Sequence, residues 1–206
     1  MNFRNAILFV LMLLVHAAVQ AQDVKLPIIS SVAQNAKDFI PNGWKLDKTV
    51  GEVSEDLNND GLTDQCYIAR KDGTSILFII FARKDGYFVK SFAGVIYSAE
   101  YLNKISKRNK TLVLVFDFPN YDGTHLVTTY ARYQNNDWYV IGYADESYAG
   151  AGKTIKGTLK DVNLVTGDAA DYALAGAAKT LKKKYKEQKQ ALMLLQNVDN
   201  LGVLNW

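Results

Sequence analysis

Residues 125–143 read His-Leu-Val-Thr-Thr-Tyr-Ala-Arg-Tyr-Gln-Asn-Asn-Asp-Trp-Tyr-Val-Ile-Gly-Tyr, and this run decides the fold class. Val127, Thr129, Ala131 and Tyr133 fall on one face of an extended chain, with Leu126, Thr128 and Tyr130 on the other. A period of two in β-branched and aromatic residues is the pattern of a strand. Asn135-Asn136 interrupts it, and asparagine tolerates the left-handed backbone of a tight turn. Trp138 to Tyr143 then resumes the strand pattern, so the run predicts a β-hairpin.

The same signals extend outward. Upstream, Thr111 to Phe118 is strongly β, and Ser75 to Arg83 is apolar on both faces, as a central strand covered on both sides requires. Lys84-Asp85-Gly86 makes a hairpin turn and Tyr87 to Phe92 returns from it. In Gln65 to Arg70, Cys66 and Ile68 share one face and Tyr67 and Ala69 the other, and Thr49 to Ser54 supplies one more strand. The polar stretch 98–110 reads as a surface loop or short helix, and Lys153 to Val165 as another strand or two. No repeat recurs at a fixed period. The expected fold is mainly β, with antiparallel sheets arranged as an open sheet, a sandwich or a partial propeller-like array.

Two helices are expected at its ends. Ile28, Val32, Ala36 and Phe39 recur at helical spacing within Pro27 to Ile40, and Pro41 stops the run. Near the C-terminus, Tyr172, Ala175, Ala178, Leu181, Tyr185, Leu192 and Leu195 predict an amphipathic helix from about 168 to 196, capped by Asp168. Its polar face is basic, since residues 178–190 hold six lysines against Glu187. The net charge of the whole chain is only +3, so composition gives no argument for nucleic acid. The basic face suits either solvent or an anionic surface.

The N-terminus reads as an export signal. Arg4 precedes the uncharged apolar run Ala6 to Val15, and Val19 and Ala21 give a small-x-small cleavage pattern. That run is too short to cross a bilayer, which takes about twenty residues. Cleavage after Ala21 leaves residues 22–206 as a single exported domain, periplasmic or secreted, without a transmembrane segment. An uncleaved signal anchor is the alternative. Cys66 is the sole cysteine, so stability rests on the core, a metal, or both.

One stretch carries a specific chemical signal. Asp56-Leu57-Asn58-Asn59-Asp60-Gly61-Leu62-Thr63-Asp64 sets hard oxygen donors at alternate positions. Ca²⁺ takes about six to eight such oxygens, and a short loop surrounds it when alternate residues turn inward. Asp56, Asn58, Asp60, the Leu62 carbonyl and Asp64 are the expected ligands, with Gly61 at the sharp turn. Tyr67 stands where an EF-hand places its bidentate glutamate, and the flanks read as strands, so the pattern is a strand–loop–strand site. Mg²⁺ suits it less, because that ion keeps more water. The competing reading is an ordinary acidic turn, since Asn-Asp-Gly favours turns without a metal.

The D-x-N-x-D-G-x-x-D pattern of Asp56 to Asp64 resembles the calcium loops of integrin-type FG-GAP repeats, although this chain has one such loop and no blade repeat. More widely, Trp44 after its Pro-x-Gly turn, this loop, and Arg132-Tyr133-Gln134-Asn135-Asn136-Asp137-Trp138-Tyr139-Val140-Ile141-Gly142-Tyr143 resemble a family of small exported bacterial proteins of no assigned activity. The resemblance implies export and no particular chemistry.

Catalytic signatures are sparse. His125 is the only histidine after residue 21 and reads as a surface or edge side chain; a Cys66–His125 dyad is the catalytic alternative. Asp117, Asp122, Asp145 and Glu146 offer acidic pairs of the type a glycosidase uses. Tyr121, Tyr139, Tyr143 and Tyr148 offer a binding face, with core packing as the plainer role. Tyr148-Ala149-Gly150-Ala151-Gly152 lacks the lysine of a phosphate-binding loop. The sequence therefore predicts an exported, calcium-binding, non-enzymatic domain with a protein or glycan partner. The alternatives are an extracytoplasmic hydrolase using acidic residues and an inhibitor of an exported enzyme.

Overall fold

A computed structural model describes residues 27–96, 99–120, 123–149, 156–187 and 192–195. They form two antiparallel sheets that do not close into a barrel. The first contains β1 (Val32–Ala33), β2 (Lys45–Asp47), β3 (Val53–Glu55), β4 (Asp64–Lys71), β5 (Thr74–Ala82) and β6 (Phe88–Val95). Its order is β1-β6-β5-β4-β2, and β3 also pairs with β4. Strands β2 and β3 share one edge of β4, opposite Ile68–Arg70 and Asp64–Cys66 respectively.

The second sheet is a meander in which every strand pairs with its sequence neighbours. It runs through β7 (Leu102–Arg108), β8 (Thr111–Asn120), β9 (Gly123–Gln134), β10 (Asp137–Ala149), β11 (Lys156–Asn163), β12 (Asp168–Ala175) and β13 (Ala178–Lys186). The hairpin read from residues 125–143 is β9–β10, with Asn135 and Asn136 both at positive φ between the paired Gln134 and Asp137. That backbone matches the right-handed twist of the flanking strands.

The alternation of apolar residues places the core. Val127, Thr129 and Ala131 are buried, while Leu126, Thr128 and Tyr130 are half-buried on the opposite face. Leu77, Ile79 and Phe81 of β5, with Cys66 and Ile68 of β4, join Leu114, Phe116, Val127, Trp138 and Val140 of the second sheet in the main core. Burying side chains of this size contributes about 1.5–3 kcal/mol each. Trp138 is 1% exposed and donates its indole N–H to Ser91 Oγ at 3.0 Å, and Phe81 meets Tyr133 edge-on at 4.8 Å. The other face of β5, with Ile76, Phe78 and Ile80, packs with Tyr67 and Ala69 beneath Ala36, Phe39 and Trp44. The chain wraps both faces of β5, which is why that strand carries no polar face.

Both expected helices are corrected. Among the described residues the helical turns are two short 3-10 segments, Ala36–Phe39 and Ala99–Tyr101. In Pro27 to Ile40, Ile28 is fully exposed and Val32 is 41% exposed, so the anticipated stripe is not a buried face. Val32 instead pairs with Val89, and Lys90 N–H donates to Ser31 O at 3.0 Å, extending the sheet edge. Sheet hydrogen bonds outcompete a helix too short to stabilise itself. Asn35 and Asp38 bracket the 3-10 turn that remains, with Asn35 N–H donating to the Asp38 carboxylate at 3.0 Å.

At the other end, residues 168–186 are the β12–β13 hairpin, and Gly176-Ala177 is its two-residue loop. The helix-like spacing has a local cause. The register shifts between Asp171 and Tyr172, so Tyr172 faces Leu181 while Asp171 faces Lys183. The turn at Gly176-Ala177 sets Ala175 and Ala178 three apart as direct partners, and the bulge at Lys182 leaves Leu181 on the face of Tyr172 and Tyr185 on the other, so the expected stripe divides between two faces. The polar stretch 98–110 repeats this: it contains β7, whose buried Leu102 and Ile105 are three apart because the register shifts between Leu102 and Lys104. Lysines 179, 182, 183, 184 and 186 lie on the outermost strand, where charge discourages pairing with another chain.

No helix among the described residues is long and apolar enough to cross a membrane. The expected signal segment 1–21 lies outside the described residues, as do most positions after Glu187.

Candidate calcium loop

Glu55 and Asp64 pair across the ends of β3 and β4, so residues 56–63 form the loop of a hairpin. Leu57 is 3% exposed and belongs to the main core, which pins the start of the loop to the sheet interior. The rest is a series of turns closed by side chains. Asp56 accepts the N–H groups of Asn59 and Asp60 on Oδ1, at 2.6 and 3.2 Å, and that of Gly61 on Oδ2 at 2.9 Å. Asn58 Oδ1 accepts from Asp60 N–H at 3.0 Å, and Asp60 Oδ1 accepts from Leu62 N–H at 2.8 Å. Asn58 Nδ2 donates to Asp60 Oδ2 at 3.0 Å. Gly61 sits at φ +87°, a conformation that costs a side-chain-bearing residue strain and explains the glycine.

Asp64 has a different environment. It is fully buried; Oδ2 accepts Leu57 N–H at 2.8 Å and Oδ1 accepts Ala82 N–H at 2.9 Å. One carboxylate thus ties the loop entrance to the end of β5. Burial pushes its pKa above the usual carboxylate range; the nearby Asp60 charge adds to this, while the backbone donors oppose it. At Asp56 desolvation is outweighed by the N–H groups of Gly61, Asn59 and Asp60 and by the Lys107 charge together, so its pKa is lowered. Lys107 also reaches Glu55 at 3.3 Å.

The donors fit a hard cation in kind. Asp56, Asn58, Asp60, Asp64 and the Leu62 carbonyl offer only oxygen, the set Ca²⁺ prefers over nitrogen or sulfur. Among the described residues, no three His, Cys, Asp or Glu side chains form a metal-binding group. Each bonded carboxylate oxygen keeps a second lone pair beyond the N–H it accepts.

Among the described residues, the remaining sequence candidates do not come together in one cluster. Cys66 is fully buried in the first sheet, and burial pushes its thiol up, away from a reactive thiolate. His125 is on the second sheet, where its Nε2 meets Asp145 Oδ1 at 3.0 Å and its ring lies 5.8 Å from that of Phe118. Asp145 and Glu146 are consecutive on β10 and point to opposite faces. Glu146 accepts the Tyr148 hydroxyl at 2.5 Å, a bond that together with burial raises the phenol to about 12. Asp117 lies on β8 opposite Leu126. Asp122, Tyr121 and Gly150–Gly152 lie outside the described residues. Tyr143 is a core residue, whereas Tyr148 packs on the outer cluster of Ala144, Leu159 and Leu174, so these tyrosines form no common face.

Sequence reasoning missed Arg108, Lys110 and Arg132, which the topology brings to one cleft on the second sheet. The available signal was Arg132 two residues from Tyr130, both on the outward face of the alternating run. No protein-family model matches the chain, and no curated protein or solved structure does either.

Proposed function

We propose that this chain is an exported, non-enzymatic domain that binds a protein or glycan partner, with Ca²⁺ clipping β3 to β4 at Asp56–Asp64. The observation that carries the proposal is the oxygen-only D-x-N-x-D-G-x-x-D loop set between two paired strands. Bound there, Ca²⁺ adds to the single Lys107 charge the positive charge that offsets three carboxylates within nine residues. Asp56, Asn58, Asp60, Asp64 and the Leu62 carbonyl hold it. The buried Leu57 fixes the loop to the core, and Asp64 fixes it to β5.

A binding role is favoured over a hydrolase because the acidic candidates are separated. Asp145 is engaged by His125, and Glu146 faces away from it. The test is a screen of the mature domain against glycans and envelope proteins, in Ca²⁺ and in chelator, alongside turnover assays on glycan and peptide substrates. Retention of a partner without turnover is the expected result. Turnover abolished by Asp117→Asn would overturn it. Capture of an enzyme that loses activity when bound would assign the inhibitor role.

A further inference from the structure

The outer face of the second sheet carries a cleft of about 660 Å³ that the calcium loop does not touch. It lies where the β7–β8 hairpin tip meets β9, β10 and β11, and it is lined by Arg108, Lys110, Tyr130, Arg132, Asp161 and Asn163 among others. Its depth follows from the backbone. The β9–β10 register shifts between Val140 and Gly142, which makes Ile141 the extra residue of a bulge. The bulge reverses the facing of the chain: Val140 and Tyr143 both point into the main core, and Gly142, opposite Tyr130, comes to the outer side. A Cβ on Gly142 would stand 2.7 Å from Val162 O and 3.5 Å from the Tyr130 ring. The close approach of the Val162 carbonyl requires the glycine there.

Charge in the cleft is unbalanced. Three cations, Arg108, Lys110 and Arg132, face one acid, Asp161. None of these four joins any ion pair formed among the described residues. The Nε of Arg132 is buried and has no hydrogen-bond partner. The planar guanidinium fork of an arginine binds an oxyanion through paired donors. Beside it lie an aromatic ring, Tyr130, and two neutral side chains suited to hydroxyl groups, Asn109 and Asn163. The volume lies within the range of about 300–1,000 Å³ typical of small-molecule sites and exceeds what a bare anion needs.

We infer that this cleft binds an acidic sugar unit, with its carboxylate or phosphate on Arg132, Arg108 and Lys110 and its hydroxyl-bearing ring on Tyr130 and Asn163. The inference deepens the glycan arm of the proposed function and rests on it for the biological partner, though the site stands on its own geometry.

The test is a titration of the isotope-labelled domain, followed by backbone amide shifts, with four probes: glucuronate, glucose 6-phosphate, glucose and inorganic phosphate. The two charged sugars should perturb residues 108–111, 130–132, 141–142 and 161–163. Glucose and inorganic phosphate should each bind at least about tenfold more weakly than the better charged sugar. Arg132→Gln should weaken that sugar about tenfold or more, as loss of a charge-assisted bond does. Arg108→Gln, at an exposed hairpin end, should weaken it without a change in fold, which covers the case in which Arg132→Gln unfolds. Glucose binding as well as glucuronate, phosphate binding as well as the sugar phosphate, perturbation centred on the β13 lysines, or no perturbation with any probe would each overturn the assignment. A screened partner that binds both variants as it binds the wild type would leave the binding role standing and remove this cleft from it.

Discussion

Replacing Asp64 tests what the loop does for the fold, apart from the proposed metal. The carboxylate is fully buried and serves two backbone donors, Leu57 N–H at 2.8 Å and Ala82 N–H at 2.9 Å. Asp64→Ala removes both acceptors and leaves two N–H groups without partners where water has little access. Each orphaned buried donor costs about 1–3 kcal/mol, so the variant should lose about 2–6 kcal/mol. Asp64→Asn keeps the volume but offers one oxygen and one NH₂, so one bond is lost and the cost falls to about half of that. The assay is urea denaturation in chelator, where no divalent ion contributes. The midpoints should rank wild type, Asp64→Asn, Asp64→Ala, with similar slopes, because the surface exposed on unfolding is unchanged. Asp60→Ala, at an exposed position, should lie within about 0.5 kcal/mol of wild type under the same conditions. An Asp64→Ala midpoint equal to that of wild type would refute the assignment of Asp64 as the tie between the loop and β5.

Asp47 predicts a pH dependence. Burial pushes its carboxyl up, but the Thr49 hydroxyl and N–H and the Arg70 charge, at 2.6 Å, outweigh burial and hold it below the usual carboxylate range. A depressed folded-state pKa stabilises above the unfolded value of about 3.9, and that contribution is lost as pH falls through the folded value. Asp47→Asn should therefore cost about 1–3 kcal/mol at pH 7 in denaturant titrations, with the difference shrinking below about pH 4. Cys66, buried and poorly ionised, should react with a thiol reagent only as fast as the domain unfolds; rapid labelling of the native protein would contradict its burial. Gly142→Ala places a methyl 2.7 Å from Val162 O, and thermal denaturation should show a loss of about 1–3 kcal/mol.

The strands were legible in the sequence wherever one period held throughout. Residues 125–134 alternate cleanly, and Ser75 to Phe81 is apolar at nearly every position because both of its faces are covered. The errors fall where a bulge or a turn resets that period. Leu102 and Ile105 keep a helix-like interval because a register shift lies between them, whereas Tyr172 and Leu181 are partners across the β12–β13 turn. Alanine-rich residues 168–178 favour a helix locally, yet β11 offers β12 a complete ladder of hydrogen bonds, and tertiary context overrides propensity. At the N-terminus, Ile28 and Val32 fit a stripe only on paper, since the open edge of β6 takes the segment as a strand.

The setting of Asp56–Asp64 between two strands was legible because its turn signals are local. Its anchoring was not, because the partner of Asp64 on β5 is 18 residues away. The cleft was still less legible. It draws on five strands, and its floor depends on the bulge at Ile141, which no local pattern announces.

Thermal melting in Ca²⁺ against chelator is the test of Ca²⁺ binding at the proposed site, Asp56–Asp64. A ligand bound only by the native state at a hundred times its Kd adds about 2.7 kcal/mol, which for a domain of this size raises Tm by about 5–11 °C. Such a rise is expected with Ca²⁺, reversed by chelator and absent in Asp60→Ala. An unchanged Tm at millimolar Ca²⁺ would contradict it.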